Sequence, residues 1–187
     1  MTIVHHHFRR KNKRKIFVMT HRRKARISKR KRKAFTHMAK LPYEVGGQLD
    51  FENGNLDNAK VHFGTNSALS FEWNPDYEVS YHTHPDTKHI SILPSLQDLL
   101  AMKETKEKEQ IIFKGNLALS IAEKEKFESI KPIRLAVISR QMGNELHQGV
   151  SDRKIYEKFK PIFRDELGLD MKWHNPNKDI QLSSRSI

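Results

Sequence analysis

A chain of 187 residues, 36% of them hydrophobic, holds one domain with a real core and is too short for two ordinary domains. It has no cysteine, which excludes disulfide staples and thiolate metal sites. No stretch approaches the roughly 18 apolar residues of a membrane span and no apolar signal-peptide core is visible near the N-terminus, so an intracellular protein of nucleus or cytoplasm is expected. The net charge of +13 is concentrated at one end: sixteen Lys or Arg and no acid precede Glu44, whereas nineteen basic residues face twenty-two acids from Glu44 onward.

The basic end contains Arg9-Arg10-Lys11, Lys13-Arg14-Lys15, Arg22-Arg23-Lys24 and the run Lys29-Arg30-Lys31-Arg32-Lys33, interrupted by Ile16-Phe17-Val18-Met19. So dense a positive run repels itself, which predicts a disordered tail over residues 1–41 ahead of a domain over residues 42–187. Such a tail attaches to DNA or RNA by releasing counterions, or serves as a nuclear import signal. The plainer alternative is a solubilising extension.

From residue 42 the texture becomes that of a folded domain. Residues 43–51 read as a strand, Asn53-Gly54-Asn55 as a turn and residues 60–63 as the returning strand, too far away for a tight hairpin. Residues 68–73 alternate like a further strand. Residues 77–82 form a central strand, and a helix opens at Ser95 with Leu96, Leu99 and Leu100 on one side and Lys103, Lys106 and Glu107 toward solvent, ending near residue 108. Residues 110–113 and 117–122 make a hairpin, and residues 133–138 another strand. Ser151 caps a last helix with Ile155, Phe159, Phe163 and Leu167 along one face, a kink at Pro161 and a stop at Gly168. Residues 171–173 suit an edge strand and the Ser-rich end from Leu182 a frayed one. The fold class is therefore α/β or α+β, a mixed sheet flanked by helices.

The stretch around which the rest is organised is His82-Thr83-His84-Pro85. Residues two apart on a strand face the same side, so His82 and His84 present their rings to one point. A third ligand from a nearby helix start, with water on the fourth corner, gives the layout of a catalytic zinc, whose chemistry is activation of water for hydrolysis. A carboxylate outside the ligand set must then take the proton, and Glu44 is the candidate.

Taken in order, Glu44-Val45-Gly46-Gly47-Gln48-Leu49, His82-Thr83-His84-Pro85 and Ser95-Leu96-Gln97-Asp98 resemble the signature of the JAB/MPN (JAMM) zinc metalloproteases over residues 43–138. The resemblance implies a JAB/MPN-like, cytidine-deaminase-like layered fold, with Zn2+ held by His82, His84 and Asp98. It implies Glu44 as general base and Ser95 as a hydrogen-bonding helper to the tetrahedral intermediate. The expected activity is hydrolysis of an amide or isopeptide bond in a protein substrate, removing ubiquitin or a ubiquitin-like protein. The chain departs from the family's usual pattern in two places. Thirteen residues separate His84 from Asp98 where the family usually has ten, and Phe51 stands where a glycine is common.

Each part has a plainer reading as well. Ser95-x-x-Asp98 is also a helix-capping pattern, Gly46-Gly47 a strand bulge, Glu44 a solvated strand start, and Trp73 and Trp173 packing groups. His89, in the lengthened loop, competes as a ligand or is a solvated loop residue. The alternatives for the whole chain are a catalytically inactive MPN scaffold and a nucleic-acid-binding or packaging protein.

Overall fold

The computed structural model describes residues 6–11, 14–19, 24–87, 90–124 and 126–185. Strands β1 (His6–Lys11) and β2 (Arg14–Met19) pair antiparallel in a sheet of their own. The remaining residues of the basic run up to residue 23 lie outside the described ones.

From Lys24 the basic segment is part of the domain. β3 (Lys24–Ile27) alternates, burying Ala25 and Ile27 and exposing Lys24 and Arg26. Ser28 then accepts a hydrogen bond from the Lys31 N–H and starts α1 (Lys29–Met38). This helix buries Phe35, which stacks on Phe113 with ring centroids 4.9 Å apart and meets Tyr81 edge-on at 4.8 Å. Arg32 is buried too, its guanidinium donating to the carbonyls of Asn175 at 2.6 Å and Asn116 at 3.0 Å. Residues 24–41, expected as part of a disordered tail, thus include β3 and α1 and pack into the core. A few apolar side chains spaced through the charge run suffice to dock it, while Lys29, Arg30, Lys31 and Lys33 remain exposed.

β4 (Val45–Glu52) turns through Asn53 and Gly54, at φ 50° and 83°, directly into β5 (Asn55–Ala59). Both turn residues have positive φ, the conformation that Asn-Gly favours in a tight hairpin, so the return strand comes sooner than expected. Residues 60–63 contribute only the short β6 (His62–Phe63), paired with the start of β4. Residues 68–73 form no strand. β7 (Val79–Thr83) is buried along its whole length, and α2 (Leu96–Thr105) follows. The helix stops at Lys106 in the left-handed conformation, which turns Glu107 inward instead of leaving it toward solvent.

β8 (Glu109–Lys114) and β9 (Leu117–Glu123) make the expected hairpin. Residues 133–138, expected as a strand, belong to α3 (Pro132–His147), where Leu135, Ile138 and Met142 fall on one buried side. α4 (Asp152–Ile162) contains Pro161 and continues through a π-helical turn, Phe163–Leu167, to Gly168. β10 (Leu169–His174) is an edge strand, and β11 (Ile180–Arg185) is a paired strand rather than a frayed end.

Among the described residues these strands form one nine-stranded sheet in the order β10-β9-β8-β7-β4-β5-β3-β11, with β6 beside β4. The β7–β8 and β3–β5 pairs are parallel and the others antiparallel, so the fold is a mixed α/β sheet with flanking helices. One core lies between the sheet and α2, α3 and α4, around Leu99, Ile112, Leu135, Ile155 and Phe159. The other lies on the opposite face under α1, around Phe35, Tyr81 and Phe113. Parallel strands need a crossover, and α2 supplies it between β7 and β8. That connection carries the chain straight from His82 to Asp98.

Candidate metal centre

Strand periodicity assigns the side chains of β7. Val79 and Tyr81 belong to the core under α1, and Ser80 and His82 to the opposite face. His84 follows in the loop, its backbone N–H bonded to the Phe113 carbonyl at 2.8 Å. Asp98 comes from the first turn of α2 in a capping box: Ser95 Oγ accepts from the Asp98 N–H at 3.1 Å and Asp98 Oδ2 accepts from the Ser95 N–H at 2.7 Å. The capping pattern is therefore real, and it aims the same carboxylate at the imidazoles.

His82 Nε2 and His84 Nε2 lie 3.0 Å apart, Asp98 Oδ1 is 3.3 Å from His82 Nε2, and Asp98 Oδ2 is 3.5 Å from His84 Nε2. A tetrahedral ion with bonds of about 2.0–2.1 Å has ligand–ligand edges of roughly 3.3 Å, close to these separations. His84 Nδ1 donates to the Ser91 carbonyl at 2.5 Å, which leaves the Nε2 lone pair for a ligand bond. Both histidines are 5% exposed. The chemistry of the donor set thus fits a metal ion, and His82, His84 and Asp98 form a group able to hold one.

Burial works to raise the Asp98 pKa, but the two imidazoles outweigh it and keep the carboxyl well below its ordinary range. Burial likewise works to lower the His84 pKa, but the hydrogen bond and charge of Asp98, helped by the Ser91 carbonyl and Glu44, raise it.

Glu44 stands just before β4, with its backbone tied to Thr65 and Gly64 at 2.7 and 2.8 Å. Its side chain lines the same groove as His82, His84, Ser95 and Asp98 and feels the charges of His82, His84 and Asp98. Burial raises its pKa, the histidines work against the rise and Asp98 adds to it, which moves a carboxylate toward what a general base needs. Gly46 explains the close approach here. A Cβ at that position would stand 2.8 Å from His82 Cβ and 2.5 Å from the Tyr81 carbonyl oxygen, so β4 packs against the ligand strand only without one.

The lengthened loop does not displace Asp98. Ser91 Oγ donates to Asp152 Oδ1 at 2.6 Å, the Ile92 N–H reaches Asp152 Oδ2 at 3.3 Å, and Ile92 and Leu93 are buried. Asp152, at the start of α4, thereby fixes the carbonyl that orients His84. His89 lies outside the described residues. His62 stacks on Phe71 and His174 contacts Ser120 Oγ, so neither joins the cluster. Trp173 packs against Tyr156 as expected, but Trp73 lines the groove with Leu69 and Phe71, which occupies the apolar side chains of a stretch expected as a strand.

The groove encloses about 950 Å³. Two polar residues have roles that the local sequence pattern does not signal. Asp152 acts on the loop from 61 residues beyond Ser91, and Glu107, which lines the groove, is only 3% exposed in the turn after α2. Burial pushes the Glu107 carboxyl up to about 7, Ser80 and Gln110 working against the rise and Asp98 adding to it.

The chain is thus a mixed α/β domain with a buried group of two histidines and an aspartate at the end of a central strand. No protein-family model matches it, and a search of the curated proteins finds no match.

Proposed function

We propose that this chain is a zinc-dependent hydrolase of an amide or isopeptide bond, of the JAB/MPN (JAMM) type, acting on a protein conjugate such as one made with a ubiquitin-like protein. The observation that carries the reading is the convergence of His82, His84 and Asp98 on one point in a groove that also holds Glu44. A zinc ion held by the three ligands would supply Lewis-acid activation of water and of the substrate carbonyl. Glu44 takes the proton of the attacking water and passes it to the leaving amine. Ser95 Oγ already accepts the Asp98 N–H, which leaves its own proton free to donate to the developing oxyanion. Leu69, Phe71 and Trp73 line the groove together with Gln97, Ala101 and Thr105 of α2, and would shield an extended substrate chain from bulk water.

Metal analysis of the purified chain should find one zinc, and Glu44→Gln should keep that zinc while losing about 10²–10⁴ in turnover of a panel of ubiquitin-like conjugates. A chain that binds no zinc when supplied in excess would remove the mechanism.

The exposed basic residues of α1 favour a second property, attachment to DNA or RNA. Binding to a random duplex should weaken about 0.9 log unit per log unit of salt for each phosphate contacted, and replacing Lys29, Arg30 and Lys33 by Gln should flatten that slope. Affinity unchanged by salt would exclude it.

A further inference from the structure

The groove continues past the two histidines to a second polar group that the hydrolytic mechanism does not use. Ser80 precedes His82 by one same-face position on β7, roughly 7 Å along the strand. Gln110 is its registered neighbour on β8, and Glu107 stands in the turn that leads into β8. All three line the groove and are buried, Glu107 at 3% and Gln110 at 5% exposure. Gln110 Nε2 donates to Glu107 Oε1 at 3.1 Å and the Ser80 hydroxyl also bears on the Glu107 carboxylate, while neither Glu107 Oε2 nor Gln110 Oε1 sits in a well-formed hydrogen bond.

Two buried acceptors left open at the wall of a groove define the partner that completes them. With Glu107 ionised, as it is above about pH 7, an anion would meet only lone pairs there, and an apolar group would leave both acceptors unsatisfied, a costly arrangement. A ligand with several N–H donors satisfies both at once, and positive charge suits the carboxylate. Phe71 and Trp73, on the same groove, offer apolar surface to an alkyl stem.

We propose that Glu107, Gln110 and Ser80 form a subsite for a cationic hydrogen-bond donor, the ammonium or guanidinium end of a lysine-like or arginine-like side chain. As a binding site it stands independently of the metal. As a substrate determinant it rests on the hydrolase reading, and it places a basic residue next to the bond that is cut.

The test separates these two levels. The full chain, stripped of metal by a chelator, is titrated with butylammonium, butylguanidinium and the neutral isostere butanol, with binding followed by NMR. The cations should bind saturably and at least about tenfold more tightly than butanol, and Glu107→Gln should remove most of that preference. Equal binding of cation and alcohol, or a preference untouched by Glu107→Gln, overturns the subsite. If that variant fails to fold, the comparison of charged and neutral probes on the unaltered chain decides alone. The zinc-loaded chain is then offered peptides with Lys, Arg or norleucine beside the scissile bond. Faster cleavage of the basic peptides supports the substrate role, and equal cleavage of all three overturns it. Cation binding without any cleavage keeps the subsite and counts against the hydrolase instead.

Discussion

Asp152 touches no ligand atom, yet the orientation of His84 depends on it through Ser91. Its carboxylate also bonds the Ile92 N–H and faces Lys114 Nζ at 3.4 Å, so one side chain ties the loop after β7 to the start of α4. Asp152→Ala should weaken zinc binding by about 10–100-fold while leaving all three ligands in place, a change that a zinc titration reads directly. The group of His82, His84 and Asp98 is legible in the sequence because its spacing follows local rules. His82 and His84 obey the strand period and Asp98 sits three residues after its cap. Asp152 was not legible, because it becomes a neighbour of Ser91 only through a chain reversal. Glu107 was misread because the apolar spacing of α2 gave no warning that Lys106 would turn the chain.

At the scale of elements, the errors have a common cause: short apolar runs do not announce their period. The run Ile133 to Ile138 fits a buried strand as well as a helix, and only Met142 and Leu146 further on reveal the helical face. Residues 68–73 alternate, but their side chains serve the groove. The basic segment hid β3 and α1 because charge dominated its composition, although Ala25, Ile27 and Phe35 supply the buried contacts. Phe35→Ala should cost about 3–5 kcal/mol in urea unfolding, through lost contact with Tyr81 and Phe113 and the cavity left behind. Removing residues 1–23 should leave a cooperative transition, whereas removing residues 1–41 should abolish it, since that deletion takes β3 and α1 out of the second core.

Over the whole molecule, two buried titratable groups pull the pH dependence of stability in opposite directions. Burial, helped by the charges of Lys172 and Arg32, lowers the His174 pKa from its ordinary 6.5 to about 3. Between those values the unfolded chain holds a proton that the folded chain refuses, so the His174 contribution is full above about pH 6.5 and is lost as the pH falls toward about 3. Glu107, raised from 4.5 to about 7, does the reverse: the folded chain keeps the extra proton, and stability declines as the pH rises through that window. Urea midpoints should therefore fall less from about pH 7 to about pH 4 in His174→Gln than in the unaltered chain, and Glu107→Gln should gain on the unaltered chain as the pH rises from about 5 to about 8.

The pairing of β3 with β11 joins residues some 150 positions apart: Ile180 lies opposite Ile27, and Asp179 accepts the Lys29 N–H at 2.7 Å. A nascent chain on the ribosome can therefore bring His82, His84 and Asp98 together long before it can close the edge of its sheet. Until residues 179–185 emerge, the outer side of β3 stays unpaired and open to any extended polypeptide nearby, with only Lys24 and Arg26 to discourage it, and synthesis passes through an interval in which these three side chains are together while the rim is still adhesive.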